Sequence, residues 1–164
     1  MTALISPCGH FRYRLERELA AGHGSPTVAV IMVNPSTADA TKNDATIRKL
    51  IGFGDRNGWG KIIVGNLFAY RATDVRELGT VDDPVGPEND AELWRIVSSV
   101  DLIVVAWGPL SKQPKALRSR WKHFMHIAGS VPMFSIGSTA KCGHPKHPLM
   151  LPYSSEILSW RAPC

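Results

Sequence analysis

The sequence predicts an α/β fold: a three-layer α/β/α sandwich built on a mainly parallel four-stranded central sheet with an added N-terminal edge strand. Three observations predict it. Short runs rich in β-branched or aromatic residues recur along the chain, helical periodicity fills the gaps between them, and Gly or Pro bounds the runs. Strands and helices that alternate in this way form βαβ units with right-handed crossovers and a sheet covered on both faces.

Residues 11–16 alternate apolar and polar side chains with period two, as an edge or antiparallel strand does, and 22–26 carry the Gly and Pro of a turn. Residues 27–33, 61–68, 101–106 and 132–136 are apolar runs of strand length, so four buried strands are expected. Between them, residues 44–53 place Ile47, Leu50 and Ile51 on one helical face, with Asn43 or Asp44 as the cap. Residues 87–100 open with Pro near a helix start and should turn Leu93, Trp94, Ile96 and Val97 inward. Residues 115–127 repeat the pattern with Leu117, Trp121, Phe124 and Met125. No repeat, low-complexity tract or long linker interrupts the chain, so residues 1–164 are expected to form one domain.

With 164 residues and 18.0 kDa, the chain can bury roughly two-thirds of its unfolded surface. Hydrophobic residues at 44% and charged residues at 20% exclude a disordered, collagen-like or coiled-coil chain. No apolar window approaches the roughly 18 residues a bilayer requires, so no membrane partner is expected. The first ten residues lack a basic stretch followed by a long apolar one, which points to the cytoplasm. Cys8, Cys142 and Cys164 are too few for a disulfide framework. A monomer is expected.

The net charge of +5 is unevenly distributed. Residues 1–100 carry 11 basic and 12 acidic side chains, whereas 101–164 carry 8 and 2. Lys112, Lys115, Arg118, Arg120 and Lys122 crowd into one stretch, and Lys141 and Lys146 follow. Such clusters attract polyanions and contact phosphates without reading sequence.

In open α/β sheets a ligand sits beyond the carboxyl ends of the strands, so the residues after each apolar run carry the functional signal. Asn34-Pro-Ser-Thr-Ala-Asp39 follows the first and Asn66-Leu-Phe-Ala-Tyr-Arg-Ala-Thr-Asp74 closes the second. Trp107-Gly-Pro109 follows the third, and Gly137-Ser-Thr139, leading on to His144 and His147, follows the fourth. Amides, hydroxyls and an imidazole suit a planar polar heterocycle or a phosphate better than proton abstraction from carbon. The glycine-rich phosphate and dinucleotide loops and the Gly-x-Ser-x-Gly elbow are missing from the sequence, and no cofactor is expected. Cys8-Gly-His10 and Cys142-Gly-His144 could supply four zinc ligands if the ends of the chain met, but they lack the ligand spacing of zinc knuckles and are read as ordinary thiols and imidazoles, so no metal site is expected. Asp39 and Asp44 could hold a metal or act as a base, but carboxylates there more often cap the next helix.

The strings Asn34–Asp39, Asn66–Asp74, Asp83–Asp90, Ala106-Trp-Gly108 and His147-Pro-Leu149 resemble the signature blocks of an uncharacterised bacterial family, domain of unknown function 1643. More distantly, Met32-Val-Asn34-Pro-Ser36, Asn66 to Thr73 and His147-Pro-Leu149 are similar, in order, to blocks of the uracil-DNA glycosylase superfamily. That resemblance implies a glycosylase-like fold and cleavage of the N-glycosidic bond of a damaged or modified base in DNA, uracil among the candidates. It implies that Asn34 positions the attacking water and that His147 donates to the departing base. Asn66 would read the base edge, with Ser36 beside it and Phe53, Phe68 and Tyr70 as stacking surfaces. Arg71, Lys112, Lys115, Arg118, Arg120, Lys122, Lys141 and Lys146 would grip DNA phosphates. Two alternatives stay open at this point: an enzyme or binder of free nucleosides or nucleotides, and a non-catalytic nucleic-acid-binding module.

Overall fold

A computed structural model of the chain describes residues 1–163. They form a mixed seven-stranded sheet and three α-helices. In chain order these are β1 (Thr2–Ile5), β2 (Arg12–Glu18), β3 (Thr27–Met32), α1 (Ala45–Arg56), β4 (Lys61–Asn66), α2 (Asn89–Val97), β5 (Leu102–Val105), α3 (Arg120–Ala128), β6 (Met133–Ile136) and β7 (Ile157–Ser159). Across the sheet the order is β1-β2-β4-β3-β5-β6-β7. β3 pairs parallel with both β4 and β5, and β5 with β6, while β1, β2 and β7 join antiparallel.

Strand alternation sorts the core into two clusters. Val28, Val30 and Met32 of β3 pack with Ile47, Leu50 and Phe53 of α1, whereas Ala29 and Ile31 pack with Leu93 and Ile96 of α2 and Phe124 of α3. Helices therefore cover both faces, which is why these strands read as near-continuous apolar runs. A one-residue slip of β3 would exchange its two side-chain sets, so the register is strongly fixed. At Gly65 even one methyl group would meet Leu93 Cδ2 at 2.9 Å, which explains a glycine in the middle of a buried strand.

The structure corrects four expectations. The expected edge strand, β2, is internal, because β1 pairs outside it, and β7 closes the opposite edge. Trp94 is 62% exposed, since Leu93, Ile96 and Val97 already fill the buried stripe of α2. That helix runs over Asn89–Val97, inside the expected 87–100. The helix expected from residue 115 is a 3-10 turn, Lys115–Leu117, followed by α3 from Arg120. Pro114, just before the turn, has no N–H to contribute. Asp44 is the cap of α1, accepting from the Ile47 N–H at 2.8 Å.

The chain leaves β3, returns as β4 on one side, and then crosses to β5 on the other side of β3. The carboxyl ends of β3 and β5 therefore flank a topological switch point, where loops diverge and leave a crevice.

Candidate functional site

A cleft of about 940 Å³ opens at this switch point. Asn34 and Ser36 after β3, Trp107 to Pro109 after β5, His147 beyond β6 and the first turn of α1 all line it. Met32, Val33, Ile47, Leu149 and Leu151 make much of its wall apolar.

Asn34 is half-buried, and its Nδ2 donates to the carbonyls of Ala72, at 2.7 Å, and Pro35, at 3.1 Å. These bonds tie the loop after β3 to the loop after β4 and leave Oδ1 as the free end of the carboxamide. His147 precedes the 3-10 turn Pro148–Met150, and its Nδ1 accepts from the Leu149 N–H at 3.3 Å. An Nδ1 that accepts places the proton of the neutral ring on Nε2. Burial pushes the His147 pKa below its ordinary value, nearby Lys112 pushes it the same way, and Asp44 opposes them. The ring is therefore a neutral Nε2–H donor at pH 7. Gly108, at φ 76°, brings the loop after β5 alongside His147.

Asn66 is placed differently from the expectation. It is 1% exposed and lies outside the cleft wall, and neither end of its carboxamide has a hydrogen-bond partner among the described residues. The reason is that pairing continues beyond β4: Leu67 and Phe68 still donate to Met32 and Val33, so Asn66 is held inside the sheet rather than at its open end. Phe53 and Phe68 are fully buried core residues, one in each cluster, and cannot stack on a ligand in the cleft. Tyr70 packs edge-on against Phe11 and lines, with Arg71 and His10, a neighbouring pocket of about 320 Å³ that shares Ser36 with the main cleft.

The basic stretch also divides. Lys112 and Lys146 line the cleft, and Lys146 Nζ lies 3.2 Å from Ser138 Oγ. Arg118 is committed to the carbonyls of Gln113 and Ser111, and Arg120 to the Leu67 carbonyl and the Asp90 carboxylate. Arg71 is turned toward the carbonyls of Ser36 and Gly9. These arginines hold the protein together and are poorly placed for DNA phosphates. Lys115, Lys122 and Lys141 are exposed away from the cleft wall.

The sequence model of the family described as "Protein of unknown function (DUF1643)" matches residues 12–149. The chain belongs to that family. No curated protein and no solved structure matches it. The DUF1643 match runs from Arg12 to Leu149, the first and nearly the last residues of the cleft wall.

Two side chains of this DUF1643 site, Arg12 and Gln113, escaped the sequence reading, and a third, Trp107, was given a place there but no role. All three are buried in the cleft wall, and Arg12 Nε, Trp107 Nε1 and both ends of the Gln113 carboxamide lack a hydrogen-bond partner among the described residues. Arg12 donates once, to the Ala38 carbonyl at 2.9 Å, and burial lowers its pKa to about 10. Trp107 was in view as the residue after the third apolar run. Asp39 turns its carboxylate back onto the Thr41 and Lys42 N–H groups, as a loop cap does. Among the described residues no group of three or more His, Cys, Asp or Glu side chains gathers to hold a metal, and the Cys8 and Cys142 thiols are exposed. His144 is buried edge-on against the Trp121 ring.

Proposed function

We propose that the cleft receives a nucleobase and that the protein hydrolyses the N-glycosidic bond of a damaged or modified base in DNA, with uracil among the candidates. The observation that carries this reading is the meeting of Asn34 and His147 in one largely apolar cleft at the carboxyl ends of the strands.

The chemistry follows from their states. As the C1′–N bond breaks, its electron pair leaves with the base and the sugar becomes oxocarbenium-like. A neutral Nε2–H on His147 donates to the base oxygen where negative charge grows, an interaction stronger in the transition state than in the ground state. Asn34 Oδ1 accepts a hydrogen from water and holds its oxygen toward C1′. Water's oxygen ends on the sugar and one of its protons on the departing base, giving a free base and an abasic site. Loss of a donor of this kind lowers kcat about 10²- to 10³-fold.

A second reading, a free nucleotide as substrate, is favoured by the commitment of Arg118 and Arg120 inside the fold. Lys112 and Lys146 can meet the phosphate of one nucleotide, whereas Arg118 and Arg120, expected in a track for DNA, are turned to the protein's own carbonyls.

The test is a panel of oligonucleotides bearing uracil, hypoxanthine, xanthine and oxidised bases, scored by alkaline cleavage at abasic sites, with mononucleotides scored in parallel for released base. At least one substrate should yield product, and Asn34→Ala and His147→Ala should each lower the rate about 10²-fold or more. An absence of product across both arms overturns the reading.

A further inference from the structure

The chain does not leave the cleft abruptly. The 3-10 turn Pro148–Met150, whose Leu149 and Met150 line the cleft, packs against α1, and the following residues cross that helix as far as Tyr153. Gly52 makes the seat: a β-carbon there would lie 2.6 Å from Tyr153 Oη, so the ring settles where α1 has no side chain. Two cations of α1 close on that ring, with Lys49 Nζ 3.8 Å and Arg56 Cζ 4.0 Å from its centroid. Neither is ion-paired to a carboxylate among the described residues. Arg56 Nη1 donates to the Gly52 carbonyl at 2.9 Å. The one acid of α1, Asp55, accepts from the Ala20 N–H at 3.2 Å.

A cation–π contact orders a long cationic side chain through the face of the ring and leaves its remaining N–H groups free to donate. Cations ordered in advance lose less rotamer entropy on meeting an anion. Between them and the cleft lies apolar surface, since Leu149 is 39% and Met150 88% exposed. An apolar strip that leads from a pocket to cations without carboxylate partners marks an interaction surface. Its two chemistries match a chain that carries flat ring faces and phosphates together, which is a single strand of nucleic acid. An acidic peptide would meet the cations and leave Leu149 and Met150 in water. We propose that residues 149–153 and the Lys49–Arg56 face of α1 dock the DNA strand that flanks the base in the cleft, with Lys49 and Arg56 on its phosphates. The inference rests on the nucleobase reading of the cleft, and it adds a second cationic contact on α1 to Lys112 and Lys146.

The test measures binding of a single-stranded oligonucleotide carrying 2′-fluoro-2′-deoxyuridine, which resists N-glycosidic cleavage, by fluorescence anisotropy over a range of salt concentrations. Binding of 2′-deoxyuridine 5′-monophosphate is followed in parallel by calorimetry. Between 50 and 200 mM salt the unaltered protein should lose about seven-fold more oligonucleotide affinity than the Lys49→Gln/Arg56→Gln double variant, the difference expected for two phosphate contacts on a single strand. Each single variant should show about half of that difference on a logarithmic scale. Mononucleotide affinity should stay unchanged in all three, which a loss of folding would not allow, and melting curves check the fold directly. An unchanged salt dependence in the variants overturns the proposal, and so does a loss that appears in Lys115→Gln/Lys122→Gln instead. Polyglutamate bound by the unaltered protein as tightly as the oligonucleotide overturns the assignment to nucleic acid. Binding of the mononucleotide without the oligonucleotide overturns the docking face and leaves the base site standing. If neither ligand binds and no base is released from any substrate, the site reading fails and this inference fails with it.

Discussion

At the scale of single residues, His147 combines a structural task with the chemical one proposed for it. Its unprotonated Nδ1 receives the Leu149 N–H, and burial with Lys112 nearby keeps the ring neutral. In the unfolded chain the same imidazole takes up its proton near pH 6.5. Between that pH and the lower folded value the unfolded state binds more protons, so stability falls as pH drops through this window and levels off below it. His144, also depressed by burial, acts in the same direction. Melting temperatures followed from pH 7.5 to 5 should therefore fall more steeply for the unaltered protein than for His147→Gln, with a residual slope left by His144. Identical slopes would show that His147 is not held neutral by the fold. Asn34 was legible because it directly follows an apolar run and carries a side chain suited to polar recognition; His147, well beyond the end of β6, was legible through the His-Pro-Leu string. Gln113 was not, because nothing local marks a glutamine between Lys112 and Pro114; its burial comes from how the whole loop folds back.

At the scale of elements, the segment from Trp107 to Arg118 shapes the site more than any helix does. Gly108 turns it at φ 76°, a conformation that costs an L side chain about 1–2 kcal/mol, and a β-carbon there would lie 3.5 Å from His147 Cβ. Since that distance is ordinary contact, the cost of Gly108→Ala is backbone strain. Urea denaturation should show a loss of about 1–2 kcal/mol, and an unchanged midpoint would contradict the account. The parallel strands were readable because both faces are buried and their runs are apolar throughout. β1 and β7, four and three residues long, carry too few residues to establish a period, and their burial is half-complete. Trp94 misled for a related reason: hydrophobicity alone placed it inward, while the stripe through Leu93, Ile96 and Val97 was already full.

At the scale of the whole molecule, strand order decides where the cleft lies. The β4-β3-β5 crossing creates the cleft, and this topology explains why Asn34 and His147, more than a hundred positions apart in the chain, line the same space. Part of the expected phosphate-binding track is held inside the fold for an equally global reason. A sequence shows where cations are dense, but it does not show which of them the fold has already spent on its own carbonyls, as with Arg118 and Arg120. In the function proposed above, the switch-point cleft binds a base-bearing ligand, and Trp107, in its wall, reports on it from within. The five tryptophan indole N–H resonances, with that of Trp107 assigned through Trp107→Phe, can be followed by ¹H–¹⁵N correlation spectra during titration with deoxynucleosides and single-stranded oligonucleotides. The account predicts a saturable shift of the Trp107 resonance, with Trp59 and Trp94, which lie outside the cleft wall, unmoved. A Trp107 resonance that stays fixed while those resonances move, or while the protein demonstrably binds the ligand, would place the site elsewhere and contradict the account.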